Sequence, residues 1–347
     1  MLLELYDLGI ETRSLHLIFG VIIGLVFGVA AQISRFCLRR AVAGDETERG
    51  TAGAVWITAL ATAVLSFQIA GSFGLVAVED HRFLSNDIPV LAIVLGGLAF
   101  GAGMVLTRGC VSRLTVLSAT GNLRAAFVLV VFAIVAHATL KGVLAPVRVW
   151  LGSFNETLPV ASLGGLPYGA LLAGSAIAIA AIYAVQKFRP RGLHLVLGVL
   201  IGLLPVLGWM GTSTLFFDEF DPLPVQSVAF TLPWSDGLFW VIASSAIPAG
   251  FGVGLVGGVL VGSFLSAVAR SELALQSFES GGQTLRYSLG GVLMGFGGVV
   301  AGGCSVGAGL SGVSMLSIAA ILALLGIIAG AAIMHRVISD QLATQTA

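Results

Sequence analysis

Three cysteines stand in short polar or glycine-rich motifs within an otherwise apolar chain. The motifs are Ser34-Arg35-Phe36-Cys37, Thr107-Arg108-Gly109-Cys110 and Gly302-Gly303-Cys304-Ser305. A neutral thiol is a weak hydrogen-bond donor and a polarizable partner for another sulfur atom. Several thiols along one route therefore suit a sulfur-bearing substrate better than a hard oxyanion or a sugar.

Two of these motifs close copies of one glycine-rich segment. Residues 95–110 read LGGLAFGAGMVLTRGC and residues 289–304 read LGGVLMGFGGVVAGGC, which agree at eight of sixteen positions without a gap. The glycine runs predict that a helix breaks just before Cys110 and Cys304, where backbone N–H groups are freed and a following half-helix can face an anion. We therefore expect both turns, including Gly109, Gly303 and Ser305, to line a substrate pathway.

Several of these residues also allow a simpler interpretation. A membrane cysteine can be a small packing residue, and Arg108 can follow the positive-inside bias of a cytoplasmic turn instead of attracting an anion. In the second copy Gly302 replaces Arg108, so we expect helix dipoles and the thiol to suffice there. His137 and Lys141 lie one helical turn apart and are a candidate proton relay, although Lys141 is close enough to the span's end to snorkel.

The composition indicates that these motifs belong to a membrane protein. The 347 residues are 57% hydrophobic and 10% charged, with a mean hydropathy of +1.03, which leaves too few polar side chains to cover a soluble globule. The 17 basic and 17 acidic residues create no basic field, so nucleic acid is not an expected partner.

The same inventory predicts neither a cofactor nor a metal site. An odd set of three cysteines without a C-x-x-C pair argues against a disulfide framework and a tetrahedral zinc site. The sequence has no phosphate-binding loop, dinucleotide motif or histidine cluster that predicts ATP hydrolysis or redox catalysis.

Nine apolar runs are long enough to cross a hydrocarbon core of about 30 Å. They are residues 15–35, 52–76, 88–106, 123–145, 168–186, 193–211, 237–268, 285–300 and 315–334. Residues 107–122 and 301–314 are too short and glycine-rich to span, and they are predicted as re-entrant turns or half-helices. The proline-bearing segments 146–167 and 212–236 are predicted as outer loops. No cleavable signal sequence is expected, because the first apolar run continues into a full span.

The charge pattern predicts the orientation of these spans. Arginines and lysines follow the first, third and fifth spans, whereas acidic residues follow the second and sixth. By the positive-inside rule the N-terminus is outside and the C-terminus is cytoplasmic. The two copies, around 88–122 and 285–314, then run in opposite directions within one transport domain of residues 1–347, as in an inverted repeat. A weaker echo between 24–29 and 254–259 conflicts with this scheme, because both of those spans would run inward.

The three cysteine motifs, in this order, resemble those of the YeeE/YedE family of sulfur-compound transporters. The resemblance rests on Ser34–Cys37, on the run Gly96–Gly109 that closes on Cys110, and on Gly303–Gly312. It implies an all-α inner-membrane protein of about nine spanning helices plus short partial helices, with internal pseudo-two-fold symmetry and an hourglass-like pinch. It also implies that the cysteines line the route of thiosulfate or a related sulfur anion, through transient S–H contacts to sulfur. Many members work beside a small soluble sulfur-carrier protein, which implies a cytoplasmic partner of that kind.

We therefore expect a thiosulfate importer rather than an enzyme. A competing hypothesis is a membrane sulfurtransferase that passes sulfur through a cysteine persulfide to a partner. Such an enzyme needs a thiolate beside a cation, which Arg108 supplies to Cys110 and no neighbour in sequence supplies to Cys304. The sequence is also compatible with a transporter of a selenium compound and with a structural subunit of a membrane complex.

Overall fold

Helices make up most of the described chain. The computed structural model describes residues 11–346, with side chains described as far as residue 340. The helices are α1 (Thr12–Ser34), α2 (Leu38–Ala43), α3 (Glu46–Ser72), α4 (Val90–Leu106), α5 (Val111–Ala119), α6 (Leu123–Lys141), α7 (Ala145–Gly152), α8 (Gly169–Phe188), α9 (Gly192–Met210), α10 (Thr231–Ile242), α11 (Phe251–Ala269), α12 (Gly281–Val300) and α13 (Ile318–Thr346). Shorter elements are the π-helical turns Gly211–Leu215 and Gly307–Gly312, the 3-10 turns Arg82–Leu84 and Leu163–Gly165, and the paired strands β1 (Asp87–Ile88) and β2 (Glu156–Thr157).

Eight helical stretches in the described residues are long and apolar enough to cross a membrane. They are Thr12–Ala43, Glu46–Ser72, Val90–Ala119, Leu123–Lys141, Gly169–Phe188, Gly192–Leu215, Phe251–Ala269 and Ile318–Asp340. The predicted eighth span, 285–300, forms helix α12, whose glycines, Gln283 and Arg286 lower its mean hydropathy. The predicted all-α membrane class is confirmed.

The prediction of one continuous seventh span over 237–268 is wrong. Helix α10 ends at Ile242 and α11 begins at Phe251, and Pro248 and Gly250 lie between them. Proline removes a backbone donor and glycine weakens a helix, so the apolar run folds as two helices. The predicted loops 146–167 and 212–236 are also partly helical, because α7 and the first turn of α10 lie within them.

Helices α1 and α11 pack side by side in parallel on glycines spaced four residues apart. A Cβ atom at Gly24 would collide with the Leu255 carbonyl oxygen, and one at Gly258 would collide with the Val21 carbonyl oxygen. Small residues let helix backbones touch in lipid, where no hydrophobic force drives helices together. The weaker echo between 24–29 and 254–259 is therefore a packing pattern shared by two parallel neighbours. Copies in an inverted repeat would run in opposite directions.

The two glycine-rich copies, in contrast, pack against each other in opposite directions. Gly96 of α4 faces Gly297 of α12, and Gly103 of α4 faces Gly290. The residue numbers rise along α4 as they fall along α12, so the helices are antiparallel. In the alignment of 95–110 with 289–304, Gly96 corresponds to Gly290 and Gly103 to Gly297. Exchanging the two copies therefore turns the contact of Gly96 with Gly297 into the contact of Gly290 with Gly103.

The segments predicted as re-entrant turns or half-helices form short helices inside the bundle. Residues 107–122 contain the nine-residue helix α5, and residues 301–314 contain the π-helical turn Gly307–Gly312. Every residue from 303 to 317 is buried. Irregular backbone at membrane depth is stable only when protein or a wet cavity surrounds it, and here the surrounding helices fill that role.

Candidate functional site

The three cysteines occupy the same place in three versions of one turn. In each version the residue two positions earlier has a left-handed backbone: Arg35 with φ 52°, Arg108 with φ 59° and Gly302 with φ 80°. These residues follow the ends of α1, α4 and α12. Cys37 and Cys110 stand directly before α2 and α5, and Cys304 stands three positions before the first residue of the π-helical turn Gly307–Gly312. A left-handed conformation costs a non-glycine residue about 1–2 kcal/mol. Two of the three turns thus keep an arginine where glycine would be less strained.

Each thiol has the backbone amide three residues later as an interaction partner. These amides belong to Arg40 for Cys37, Arg113 for Cys110 and Gly307 for Cys304. At Cys304 the contact is a hydrogen bond, with the Gly307 nitrogen 3.3 Å from Sγ. The first N–H groups of a helix have no intrahelical partner and so attract negative charge. The freed donors predicted beside Cys110 and Cys304 are present, and Cys37 has the same arrangement.

The three turns bring the thiols into one chain through the core. The side chains of Cys37 and Cys110 are neighbours in the core and interact with each other. The sulfur of Cys110 also lies 3.2 Å from Ser112 Oγ and interacts with the hydroxyl of Ser305, which is the neighbour of Cys304 in sequence. The order is therefore Cys37, Cys110, Ser305, Cys304, and none of these four residues is more than 4% exposed.

At one end of this chain, Cys37 lines a cavity of about 500 Å³, the Cys37 cavity. Its charged lining residues are Arg35, Arg39, Arg40, Arg108, Arg113, Glu48 and Glu272. Both acidic side chains are already engaged, since Glu48 pairs with Arg40 at 3.1 Å and Glu272 pairs with Arg270 at 3.1 Å. The remaining arginines leave the Cys37 cavity with an excess of positive charge, and Arg108 contributes to it.

At the opposite end, the turn before Cys304 opens on a cavity of about 230 Å³, the Arg82 cavity. Its lining includes Arg82, Phe83, Trp209, Gln226, Thr231, Gly303, Gly307 and Ser311. The two ends are separated by helix α3, which connects the α2 region to the loop that bears Arg82 and whose 27 residues extend about 40 Å. Gly303 lines the Arg82 cavity, whereas Gly109 does not line the Cys37 cavity and packs against Leu114.

Sequence reasoning missed Arg82, which belongs to this second end. Its Nη2 atom donates a hydrogen bond of 2.8 Å to the Gly302 carbonyl. A cation therefore lies beside the turn before Cys304, which has no arginine of its own. One signal could have identified it. Arg82 follows Glu79 and Asp80 in the loop that the charge pattern assigns to the outside, and an arginine there runs against the positive-inside bias.

His137 and Lys141, the candidate proton relay, line neither cavity. His137 Nδ1 lies 3.1 Å from Ser235 Oγ, and its ring stacks on Phe239 at 4.5 Å between centroids. These contacts join α6 to α10. The structure therefore does not bring this pair together with the thiols.

The chain matches the family model described as "Sulphur transport" over residues 33–333, which include all three cysteine motifs. It is 28% identical over 328 residues to "Thiosulfate transporter TsuA" of Escherichia coli (strain K12), covering 86% of this chain and 88% of that protein. It is also 24% identical over 335 residues to the protein of the same name from Spirochaeta thermophila, covering 90% of this chain and 96% of that protein.

Proposed function

The chain belongs to the sulphur-transport (YeeE/YedE) family, and from this premise we propose that it imports thiosulfate or a closely related sulfur anion through a pathway along its three thiols. Two relatives that align with most of its length bear the name thiosulfate transporter. The observation that carries the proposal is the buried chain of Cys37, Cys110, Ser305 and Cys304, which begins at one cavity and ends beside the other.

The two kinds of donor at each turn match the two ends of the substrate. Thiosulfate has one terminal sulfur and three oxygens. A thiol is a polarizable contact for the sulfur, while the amides at the start of each following helical segment that the thiol leaves unpaired suit the oxygens. A hydrogen bond to a neutral thiol contributes about 1 kcal/mol or less. Contacts of this strength let an anion step from Cys304 to Cys110 and Cys37 without being retained.

An inverted repeat with an hourglass-like pinch is part of this proposal. Its support is the antiparallel contact of α4 with α12. When the two copies are exchanged, this contact is mapped onto itself. The helices around these two copies follow the same exchange. The contact of α4 with α13 corresponds to the contact of α12 with α6, and the contact of α1 with α11 corresponds to the contact of α9 with α3. Two cavities that meet a buried centre from opposite ends fit the pinch.

The orientation follows from charge. The Cys37 cavity holds the arginines expected on the cytoplasmic side, so the Arg82 cavity faces outside. The N-terminus is then external, the C-terminus is cytoplasmic, and the substrate enters at Arg82 and leaves past Cys37. A small soluble sulfur-carrier protein that accepts the released sulfur compound would act at the Cys37 side.

Uptake of radiolabelled thiosulfate into proteoliposomes that contain the purified protein tests the proposal. We expect accumulation that unlabelled thiosulfate suppresses and that sulfate suppresses far less, because sulfate lacks the terminal sulfur. A selenium analogue that competes better than thiosulfate would reassign the substrate. Absence of uptake above protein-free liposomes would contradict the proposed transport.

A further inference from the structure

A second cavity borders Cys37 at the same end of the bundle as the Cys37 cavity. It has a volume of about 480 Å³ and is lined by residues of α1, α3 and α9 and of the turn that joins α8 to α9. We call it the Arg189 cavity, after a residue of that turn. It shares Cys37, Arg40 and Glu48 with the Cys37 cavity, whereas Arg189 and Arg191 line only the Arg189 cavity of the two.

The Arg189 cavity has an excess of positive charge. Five arginines and two glutamates of the described chain line it. Both glutamates are already paired, one with Arg40 and the other with Arg270, each at 3.1 Å. The other three arginines are Arg35, Arg189 and Arg191, and in the part of the chain that the structure describes none of them pairs with a carboxylate. Three guanidinium groups without an acidic partner therefore border one cavity.

Two of these three arginines have a backbone conformation that favours glycine. Arg189 follows the end of α8 with φ 43°, and Arg35 follows the end of α1 with φ 52°. A glycine would be less strained in either place. Strained residues are concentrated at binding sites, where the surrounding structure holds them. The chain thus keeps positive charge on this cavity at a conformational cost.

The last turn of α8 places Arg189 at the level of the lipid headgroups. The Lys187 ammonium lies 5.5 Å from the ring centres of both Tyr183 and Phe188, and Tyr183 is 61% exposed. Exposed tyrosines at the end of a spanning helix lie at the membrane interface, and a lysine there extends its charge to the headgroups. Arg189 follows Lys187 by two residues, so its guanidinium lies at the depth of the lipid phosphates.

A lipid-facing apolar surface adjoins the Arg189 cavity. Leu193 and Val196, which follow Arg191 on α9, are 57% and 66% exposed. The acyl chains of a lipid can lie on this surface while its headgroup reaches the arginines. A soluble anion would gain the charge contacts alone.

We propose that the Arg189 cavity binds the phosphate group of an anionic phospholipid through Arg35, Arg189 and Arg191. Arginine binds phosphate through two parallel N–H donors, and basic pockets between helices on the cytoplasmic side are known sites for anionic headgroups. The charge pattern assigns this end of the bundle to the cytoplasmic leaflet, which carries the anionic lipids. The ligand is a component of the membrane and not the transported anion, so the inference goes beyond the proposed function.

Titration of the purified protein with single lipids in a mild detergent tests this assignment. The probes are phosphatidylglycerol, which is anionic, and phosphatidylcholine with the same acyl chains, and native mass spectrometry measures the bound lipid. We expect phosphatidylglycerol to bind more tightly and to raise the midpoint of thermal unfolding. Arg189→Gln and Arg191→Gln should each weaken its binding about fivefold, and the double variant about twenty-fivefold. Binding of phosphatidylcholine should change little.

Arg189→Gly separates lipid binding from folding. Glycine suits the left-handed backbone, so the lipid-free variant should unfold at the wild-type temperature or above it. Its affinity for phosphatidylglycerol should nevertheless fall about fivefold, because the charge is lost.

Arg336→Gln is the matched control. Arg336 is exposed and lines neither cavity. It lies at the same end of the bundle, because its neighbour His335 contacts Arg49 Nη2 at 3.3 Å. We expect this variant to bind phosphatidylglycerol as the wild type does. An equal loss of affinity in Arg336→Gln and Arg189→Gln would show that net charge alone attracts the lipid, and the site would be rejected.

Other results would also overturn the inference. Equal affinity of the wild type for the two lipids would do so, as would wild-type affinity for phosphatidylglycerol in the double variant. If the glutamine variants fail to fold, Arg189→Gly decides, and unchanged lipid binding by it would reject the site. Inorganic phosphate that stabilises the wild type as much as an equal concentration of phosphatidylglycerol would assign the cavity to a soluble anion instead. None of these measurements requires transport, so a failure of thiosulfate uptake would leave the lipid site standing.

Discussion

Gly307 donates its backbone N–H to the sulfur of Cys304 across 3.3 Å, so the thiol satisfies the first N–H group of the π-helical turn Gly307–Gly312, as a capping side chain does. An oxygen in this place would accept the same hydrogen bond, since serine is a strong N-terminal cap. Sulfur is thus not required for the cap. Its polarizability is what distinguishes it from oxygen in this position.

Replacement of Cys304 or Cys110 is expected to abolish uptake or nearly so. In Cys304→Ala and Cys110→Ala the contact for the terminal sulfur is lost. Cys304→Ser should insert normally, because its hydroxyl keeps the cap, and yet remain strongly impaired in transport. Uptake assays normalised to the amount of protein in the membrane measure both effects. Near-normal transport by a properly inserted alanine variant would identify that cysteine as a packing residue.

No covalent sulfur should accumulate on the protein during transport. A relay of weak contacts needs a thiol that releases its guest quickly, whereas a sulfurtransferase forms a covalent persulfide on its nucleophile. Intact-mass analysis of the purified protein after incubation with thiosulfate should therefore match the untreated protein. A stoichiometric mass gain of one sulfur atom on Cys37, Cys110 or Cys304, discharged by a soluble carrier protein, would favour the sulfurtransferase instead.

Reporter fusions should place the two ends of the bundle on opposite sides of the membrane. A reporter after residue 190, between α8 and α9, is expected in the cytoplasm, and one near residue 220 is expected outside. The reason is the concentration of lysine and arginine after the first, third and fifth spans. Activity in the reverse pattern would invert the proposed direction of entry from Arg82 to Cys37.

A side chain at Gly258 should destabilise the protein far more than one at its neighbour. A Cβ atom at Gly258 would collide with the backbone of α1, whereas one at Gly257 would meet nothing within 4 Å. Overpacking of a close contact costs about 1–3 kcal/mol or more. Thermal unfolding in detergent should show a lower midpoint for Gly258→Leu and a nearly unchanged one for Gly257→Leu. Equal midpoints for the two variants would contradict the close packing of α1 and α11.

The loop that bears Arg82 should loosen in acid. Burial lowers the pKa of His81 to about 4, and its Nδ1 atom accepts a hydrogen bond from the Phe83 amide. In an opened loop the ordinary pKa is about 6.5, so the opened state binds the proton more readily. The stabilisation of the closed loop by neutral His81 is therefore complete above about pH 6.5 and is lost as the pH falls towards 4.

Hydrogen exchange of residues 75–89 in nanodiscs, corrected for intrinsic rates, measures this loosening. His81→Phe keeps an aromatic ring against Trp209 but cannot titrate, and it should stay protected from pH 7 to 5. Loss of protection to the same extent in both proteins would show that another group titrates.

Hydropathy and spacing predicted the membrane-spanning helices, but they did not predict where a continuous apolar run divides into two helices. Residues 237–268 satisfy the composition of a span throughout, and only the local effect of Pro248 and Gly250 separates α10 from α11. The cysteine turns could be predicted because their chemistry is encoded within a few neighbouring residues. Arg82 could not be placed in the same way, since it contacts Gly302 across 220 positions of sequence and only folding joins them.

The three thiols of the proposed pathway are also the only cysteines in the chain, and all three are buried. A thiol-reactive probe can therefore modify the native protein only when one of the three becomes accessible to it. A membrane-impermeant probe added from one side would report opening at that side, without the removal of background cysteines. The protein thus carries its own labelling positions for following the opening of the proposed pathway.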